Sequence, residues 1–395
     1  MTIRLYDTAR REVVAFEPPP TVRMYVCGIT PYDSTHLGHA ATFLSYDLLI
    51  RRLEDLGHEV RMVRNITDVD DSILPKAREL GIPFLELAAA ETARFQGDMA
   101  ALDMRPPVAE PRATESVPRI VYLVGRLLES GCAYANAGSV YFDISKCANF
   151  GQLSHYSPDE MLAFARERGG NPDDPNRRHP LDFVLWQPSA ADEPVWQAPF
   201  GAGRPGWHIE CSAMILHEHG DTVDLHGGGT DLIFPHHECE IAQSEALTGQ
   251  PLSRHWMHSA MVSYEGEKMS KSLGNLVFVS DLLKIADPRA IRLALMRHHY
   301  RSGFAWYDTD LTDAVALLHR LLAAAARPDG PDPAPFAQRV RDALDDDLDS
   351  PHALEALDDL ASAVLSGGSD ATAPAVLREL GVLLGIDLTR PIAFA

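Results

Sequence analysis

Met24-Tyr25-Val26-Cys27-Gly28-Ile29-Thr30-Pro31-Tyr32-Asp33-Ser34-Thr35-His36-Leu37-Gly38-His39 is the stretch around which the chain is organised. Met24-Tyr25-Val26 is an apolar strand, the Gly/Pro segment after it a turn, and a helix begins near His36. A strand, a glycine turn and a helix start bring backbone N–H groups to one place, and the helix dipole adds partial positive charge there. Such a site suits phosphate. His36 and His39 are three residues apart, on one face of the first turn. Gly38 between them leaves the backbone open to a flat base. A buried strand-to-helix junction with incidental histidines is the plainer alternative. The cysteine at the end of the strand argues for looking further.

Outward from that stretch, the next helix runs to about Leu56 and stops at Gly57, and His58–Arg64 reads as a strand. The β-α-β order implies a parallel pair with a right-handed crossover, the first unit of a doubly wound sheet. Asn65-Ile66-Thr67-Asp68 then lies at the carboxyl end of the second strand, where such sheets place ligands. Upstream, Ile3–Tyr6 and Glu12–Phe16 read as a hairpin before the Pro18-Pro19-Pro20 break. The segment from 84 to 128 is helical in pattern. Val140–Asp143 and Leu181–Trp186 resume apolar order on either side of a polar stretch holding Glu167-Arg168-Gly169-Gly170-Asn171-Pro172.

Further on, Gly206–Cys211 opens a helix. Thr222–His226 is a strand ending in Gly227-Gly228-Gly229-Thr230-Asp231, and the triple glycine lets a ligand approach the backbone. Pro235-His236-His237-Glu238-Cys239-Glu240 starts a helix with His236 and Glu240 one turn apart on one face. Met261–Ser263 is a short strand, followed by Lys268-Met269-Ser270-Lys271-Ser272, two lysines in a Ser/Gly-rich loop. The rest is helical: 281–299, 310–326, and, after a Pro/Asp/Gly linker, a small acidic bundle over 336–348, 352–365 and 375–384.

The 395 residues suffice for two or three domains, and 46% hydrophobic with 23% charged residues is ordinary for a globular protein. A formal net charge of −21 argues against an extensive nucleic-acid footprint. The five cysteines form no CxxC pair and do not read as a disulfide framework. With no signal-like or membrane-length apolar run, a cytoplasmic location is expected.

His36-Leu37-Gly38-His39 followed by Lys268-Met269-Ser270-Lys271-Ser272 resembles the motif pair of class I aminoacyl-tRNA synthetases. The resemblance implies an α/β fold: a Rossmann-type, doubly wound parallel catalytic sheet (1–99 and 191–280) carrying an inserted connective region (100–190). A helical stem-contact-like region (281–326) and a C-terminal bundle (327–395) would follow. His36, His39, Lys268 and Lys271 would act on ATP, the lysines neutralising charge at the α-phosphate as pyrophosphate leaves. Cys27-Gly28, Gly206–Met214, Leu225–Leu232 and Phe234–Glu238 resemble segments of the cysteinyl members of that class. There a zinc ion sits on residues matching Cys27, Cys211 and His236, with a glutamate matching Glu240 nearby. Two thiolates and an imidazole leave tetrahedral zinc one open position, which a substrate thiolate fills far better than a serine hydroxyl. His237 is expected to point away from that ion, as a structural or adenylate-facing residue.

The departures narrow the resemblance. Cys27-Gly28-Ile29-Thr30-Pro31-Tyr32-Asp33 stands where the synthetases carry Cys-Gly-Pro-Thr-Val-Tyr-Asp, and Ala40-Ala41-Thr42 replaces their Ala-Arg. The stretch after Ser272 is short for a stem-contact bundle plus an anticodon-reading end, and its acidity offers little to an RNA backbone. The opening and the Glu167–Pro172 segment are similar to the cysteine ligases of mycothiol biosynthesis, which join cysteine to the amine of glucosaminyl-inositol. That likeness implies an AMP-forming carbon–nitrogen ligase using L-cysteine, ATP (with Mg2+) and glucosaminyl-inositol, binding no tRNA and no membrane, as a monomer. It places Gly28, Ile29, Thr30, Thr42, Asn65, Ile66, Thr67 and Trp207 around the cysteinyl part. Gly38, Gly229, Thr230, Asp231 and Val262 would line the nucleotide, and Arg168 is a candidate for the acceptor. A shortened cysteinyl-tRNA synthetase and a non-catalytic cysteine or adenylate sensor are the rival readings.

Overall fold

The structure, a computed structural model, describes residues 2–32, 35–70, 72–269 and 275–393, with the Lys268 side chain also outside the description. Lys271 of the second motif therefore lies outside the described residues.

The catalytic body is a four-stranded, wholly parallel sheet. Its order is Trp256–Ser259, Leu225–Gly229, Thr21–Ile29, Glu59–Ile66. Thr21–Ile29, the opening strand, is interior and pairs on both sides, which is why Val22, Met24, Tyr25 and Val26 are wholly buried. Strands buried on both faces read as continuous apolar runs. The first helix, Leu37–Asp55, packs on the sheet through Leu37, Ala40, Leu44, Leu48 and Leu53. His36 is its N-cap, its ring accepting the Gly38 N–H at 3.1 Å.

The triple glycine closes the strand Leu225–Gly229 and lies within it. Tyr46 of the first helix lies against it. Its hydroxyl donates to the carbonyls of Gly228 (3.0 Å) and Met257 (2.7 Å). A Cβ at Gly227 would stand 2.2 Å from that hydroxyl.

The inserted segment forms its own antiparallel sheet, ordered Ala133–Asn136, Ser139–Phe142, Phe183–Gln187, Arg204–Pro205. Helix Ala113–Glu129 packs its apolar stripe against this sheet and against helices Trp207–Glu218 and Glu238–Thr248. Two buried carboxylates fasten it to the body. Asp68 accepts the Thr114 N–H (2.9 Å) and hydroxyl (2.7 Å) in the first turn of helix Ala113–Glu129. Glu238 accepts backbone N–H groups of Gly151 (2.8 Å), Leu153 (3.2 Å) and Ser154 (2.9 Å).

Beyond the sheet the expected helix over 281–299 is broken into Val279–Leu282 and Pro288–Met296. Pro288 cannot continue a helix from behind, and Asp287 caps the new one at the Arg289 N–H. Helices Asp308–Ala325, Ala334–Asp345, Ser350–Ser366 and Ala373–Leu383 form the end bundle. It shares one core with the catalytic sheet. Among the described residues no helix is long and apolar enough to cross a membrane.

Candidate active site

The carboxyl ends of the opening strand and of Glu59–Ile66 are locked to each other at the site. Gly28 N–H donates to Asn65 Oδ1 at 2.9 Å, and Thr30 and Thr67 share a 2.7 Å hydroxyl contact. Asn65 then turns its amide nitrogen to Cys211 Sγ at 3.3 Å. Cys211 comes from the helix Trp207–Glu218, and behind it lies helix Glu238–Thr248.

Four side chains converge here: Cys27, Cys211, His236 and Glu240, all buried, with ligand atoms within 4.8 Å of one another. His236 Nε2 is 3.3 Å from Cys211 Sγ and 2.9 Å from Glu240 Oε1, and Cys27 Sγ is 3.7 Å from the same carboxylate oxygen. Burial alone would raise Glu240, but His226 and His236 hold it well below the usual carboxylate range. Burial alone would depress His236, but Glu240 and Cys211 raise it to about 10. Burial and the neighbouring Cys211 and Glu240 push the Cys27 thiol well up from its ordinary value. Two sulfurs, a nitrogen and a carboxylate oxygen form a donor set of the kind zinc accepts.

His237 stands outside the Cys27–Cys211–His236–Glu240 group, as expected, but touches one of its members. Its Nε2 is 3.3 Å from Cys27 Sγ and its Nδ1 2.8 Å from His258 Nε2. It thereby belongs to a second donor group with Cys27, His226 and Glu240. The first group is the better metal site on two counts. It holds both thiols, and His236 borders the cavity from which a substrate would come, whereas His226 and His237 lie wholly buried behind Cys27.

That cavity measures about 1020 Å³. Gly28, Ile29, Thr30, His36, His39, Trp207, Thr230, Asp231 and His236 all line it. Trp207 stacks on His236 with ring centroids 4.0 Å apart, roofing the thiol group, and the rings of His36 and His39 stack at 3.8 Å. Cys27, Cys211, Asn65, Ile66 and Thr67 stand just behind the wall, Ile66 pairing in register with Ile29. Gly38 makes room for the His36 ring, which a Cβ there would approach to 2.9 Å. Gly229 does the same for Asp231, whose carboxylate would be 2.4 Å from a Cβ. Thr42 lies half-buried farther along the first helix, and Val262 is buried beside Met261, which does reach the cavity. Lys268 ends a short strand beside Met269, another lining residue.

Arg168, the candidate for the acceptor, lines the cavity. Its guanidinium donates to the carbonyls of Asp231 (2.7 Å) and Phe234 and lies over the Phe164 ring. It ties the inserted segment to the Thr230–Phe234 turn. His208 escaped the sequence reading: its Nδ1 meets His236 Nδ1 at 2.9 Å, fixing the orientation of that ring. Only its place next to Trp207 in the Gly206–Cys211 segment hinted at it.

Residues 15–316 match the family model described as tRNA synthetases class I (C) catalytic domain. Methionyl-tRNA synthetase of Mycobacterium tuberculosis, in complex with methionyl-adenylate, superposes with a TM-score of 0.67 at 19% identity. The match covers 92% of this chain and 89% of that one, and at such identity the likeness concerns the fold. Fold and site together define a protein of the class I aminoacyl-tRNA synthetase type. Much nearer are proteins named L-cysteine:1D-myo-inositol 2-amino-2-deoxy-alpha-D-glucopyranoside ligase. That of Thermobispora bispora is 48% identical over 98% of this chain and 96% of its own length. That of Gordonia bronchialis is 50% identical over 97% and 95%, and that of Streptomyces coelicolor 48% over 98% and 96%. The chain belongs to this ligase family.

Proposed function

We propose that this chain joins L-cysteine to the amine of glucosaminyl-inositol, using ATP and passing through an enzyme-bound cysteinyl adenylate. The observation that carries the reading is the buried Cys27–Cys211–His236–Glu240 group opening on a cavity that His36 and His39 also line. The names of relatives matched over nearly their whole length support the acceptor.

In the first half-reaction the cysteine carboxylate attacks the α-phosphate of ATP, supplied with Mg2+, and pyrophosphate leaves. His36 and His39 hold the nucleotide at the start of the first helix, and Lys268 and Lys271 neutralise the phosphates. Thr230 and Asp231 take the ribose, with Gly229 giving the Asp231 carboxylate its place. Thr42 and Val262 complete the surroundings. Cys27, Cys211 and His236, with Glu240, would hold a zinc ion, which when bound supplies a soft Lewis acid for the substrate thiol. Trp207 and the Asn65–Thr67 turn enclose the cysteinyl part and keep water from the activated carbonyl. In the second half the acceptor nitrogen attacks that carbonyl, the amide forms, and AMP leaves. The scaffold needs no tRNA for this, and the acidic end bundle suits a protein working as a cytoplasmic monomer on small molecules.

The test gives the purified protein cysteine and ATP together with either glucosaminyl-inositol or tRNA. Amide formation on the sugar is expected. Charging of tRNA without that amide would overturn the proposal, and absence of cysteine-dependent ATP–pyrophosphate exchange would favour a sensor.

A further inference from the structure

The cavity continues beyond the thiol group and the nucleotide turn. Its far wall belongs to the inserted segment, where Tyr141, Asp174 and Arg177 face the same space as Trp207 and His208. Pockets for a single small ligand run to roughly 1000 Å³. A cavity of about 1020 Å³ sits at the top of that range, which leaves room for a second molecule beside an adenylate.

This wall is built in advance. Asp182, wholly buried, accepts from Tyr134 Oη (2.7 Å), Ile144 N (3.0 Å) and His179 N (3.0 Å), pinning the base of the loop to the inserted sheet. Asp174 accepts from Tyr141 Oη at 2.8 Å and from Asn176 N at 2.9 Å. Asn176 Nδ2 adds a third donor at 3.0 Å. Against burial, these donors and the Arg177 charge keep the carboxyl below the usual range. Oδ2, which accepts only from Tyr141 among the described residues, has a lone pair left to offer.

Arg177 is the unusual member. Its side chain is only 9% exposed, yet Nε has no hydrogen-bond partner among the described residues. The nearest carboxylate oxygen, Asp174 Oδ2, is 3.8 Å away, beyond hydrogen-bond reach. The guanidinium lies 5.8 Å from the Tyr141 ring centroid. A buried N–H left unpaired costs about 1–3 kcal/mol, more on a charged group. Arg177 also lines the cavity, and the guanidinium carries further N–H groups that can donate to a ligand oxygen. A carboxylate acceptor beside a guanidinium donor, edged by a tyrosine, suits neighbouring hydroxyls, each of which donates and accepts.

We infer that Asp174 and Arg177 form the subsite for the hydroxyl-bearing part of the acceptor, in the cavity that His236 also lines. The inference rests on the ligase reading and deepens it. In this reading the inserted segment brings a polyol-binding wall to an amino-acid-activating site.

The test uses the full-length protein with two conservative variants, Asp174→Asn and Arg177→Lys. Cysteine-dependent ATP–pyrophosphate exchange and amide formation are measured on the same preparations. Each variant is expected to raise the KM for glucosaminyl-inositol about tenfold, the loss of one charged hydrogen bond, and to leave exchange within about twofold. An unchanged acceptor KM in a variant with normal exchange would overturn the subsite. So would parallel loss of exchange and ligation in both variants, which marks a structural role. Wild-type exchange without any amide on this acceptor would instead overturn the ligase reading itself, and the subsite with it.

Discussion

The Gly28 N–H donates to the Asn65 side-chain oxygen at 2.9 Å, and a Cβ at residue 28 would lie 1.8 Å from the Asn65 carbonyl oxygen. The two strand ends can approach this closely only over a glycine. Because Asn65 also reaches Cys211, displacement here moves a thiol. Gly28→Ala is expected to destabilise the protein by about 1–3 kcal/mol and to raise the KM for cysteine. Urea unfolding and pyrophosphate exchange measure both.

Cys211 belongs only to the first donor group and His237 only to the second. Cys211→Ala should therefore emerge from gel filtration without zinc, and His237→Asn should keep it. Metal content by atomic emission decides, and full zinc retention in Cys211→Ala would refute the ligand set.

His36 and His39 stack but do different work. His36 caps the first helix through Gly38 N–H, so His36→Ala should cost about 0.5–2 kcal/mol of stability. His39 is no cap. His39→Ala should leave the unfolding midpoint nearly unchanged while cysteine-dependent exchange falls about hundredfold. Equal effects of the two substitutions on stability would contradict the assignment.

Asp47, on the hidden face of the first helix, is wholly buried between Arg51 (2.8 Å) and Arg292, and accepts the Arg105 N–H at 2.7 Å. Arg292 carries the contact on to the Leu384 carbonyl at 2.7 Å, joining sheet and end bundle. Burial would raise the Asp47 carboxyl, but the two guanidinium groups and the N–H bring it below its ordinary value. A carboxyl depressed in the fold stabilises fully above its unfolded pKa, near 3.9, and loses that contribution as pH falls through the lower folded value. Stability should thus drop below about pH 4. Asp47→Asn should cost about 3–5 kcal/mol at neutral pH and flatten the acid limb of a denaturation series.

Much of the architecture was legible in the chain. The hairpin, the opening strand, the start and stop of the first helix and the end-bundle helices all follow from local patterning, Gly57 and the Pro/Asp/Gly linker. The break at Asp287-Pro288 was hidden by apolar spacing that runs on across it. The glycines of Leu225–Gly229 read as open to a ligand, whereas what lies against Gly227 is a tyrosine hydroxyl nearly two hundred residues earlier in the chain. The carbonyl partners of Arg168 leave no trace in a sequence, so its tie to the Thr230–Phe234 turn shows only in the fold.

By itself the sequence determined the β-α-β start, the stacked histidines at a helix N-terminus and, through its resemblance, the class and family. Those depend on neighbours within a turn or on motifs read in order. Tertiary structure alone decided which side chains meet. Parallel strands end on one edge of the sheet, so Cys27 and Asn65 arrive together there, and helices packed behind them bring Cys211, His236 and Glu240. It also decided that His237 turns to Cys27 and that Asp174 and Arg177 share one wall of the cavity. Side-chain direction at such points is set by burial and strand register, which come from residues far away in the chain.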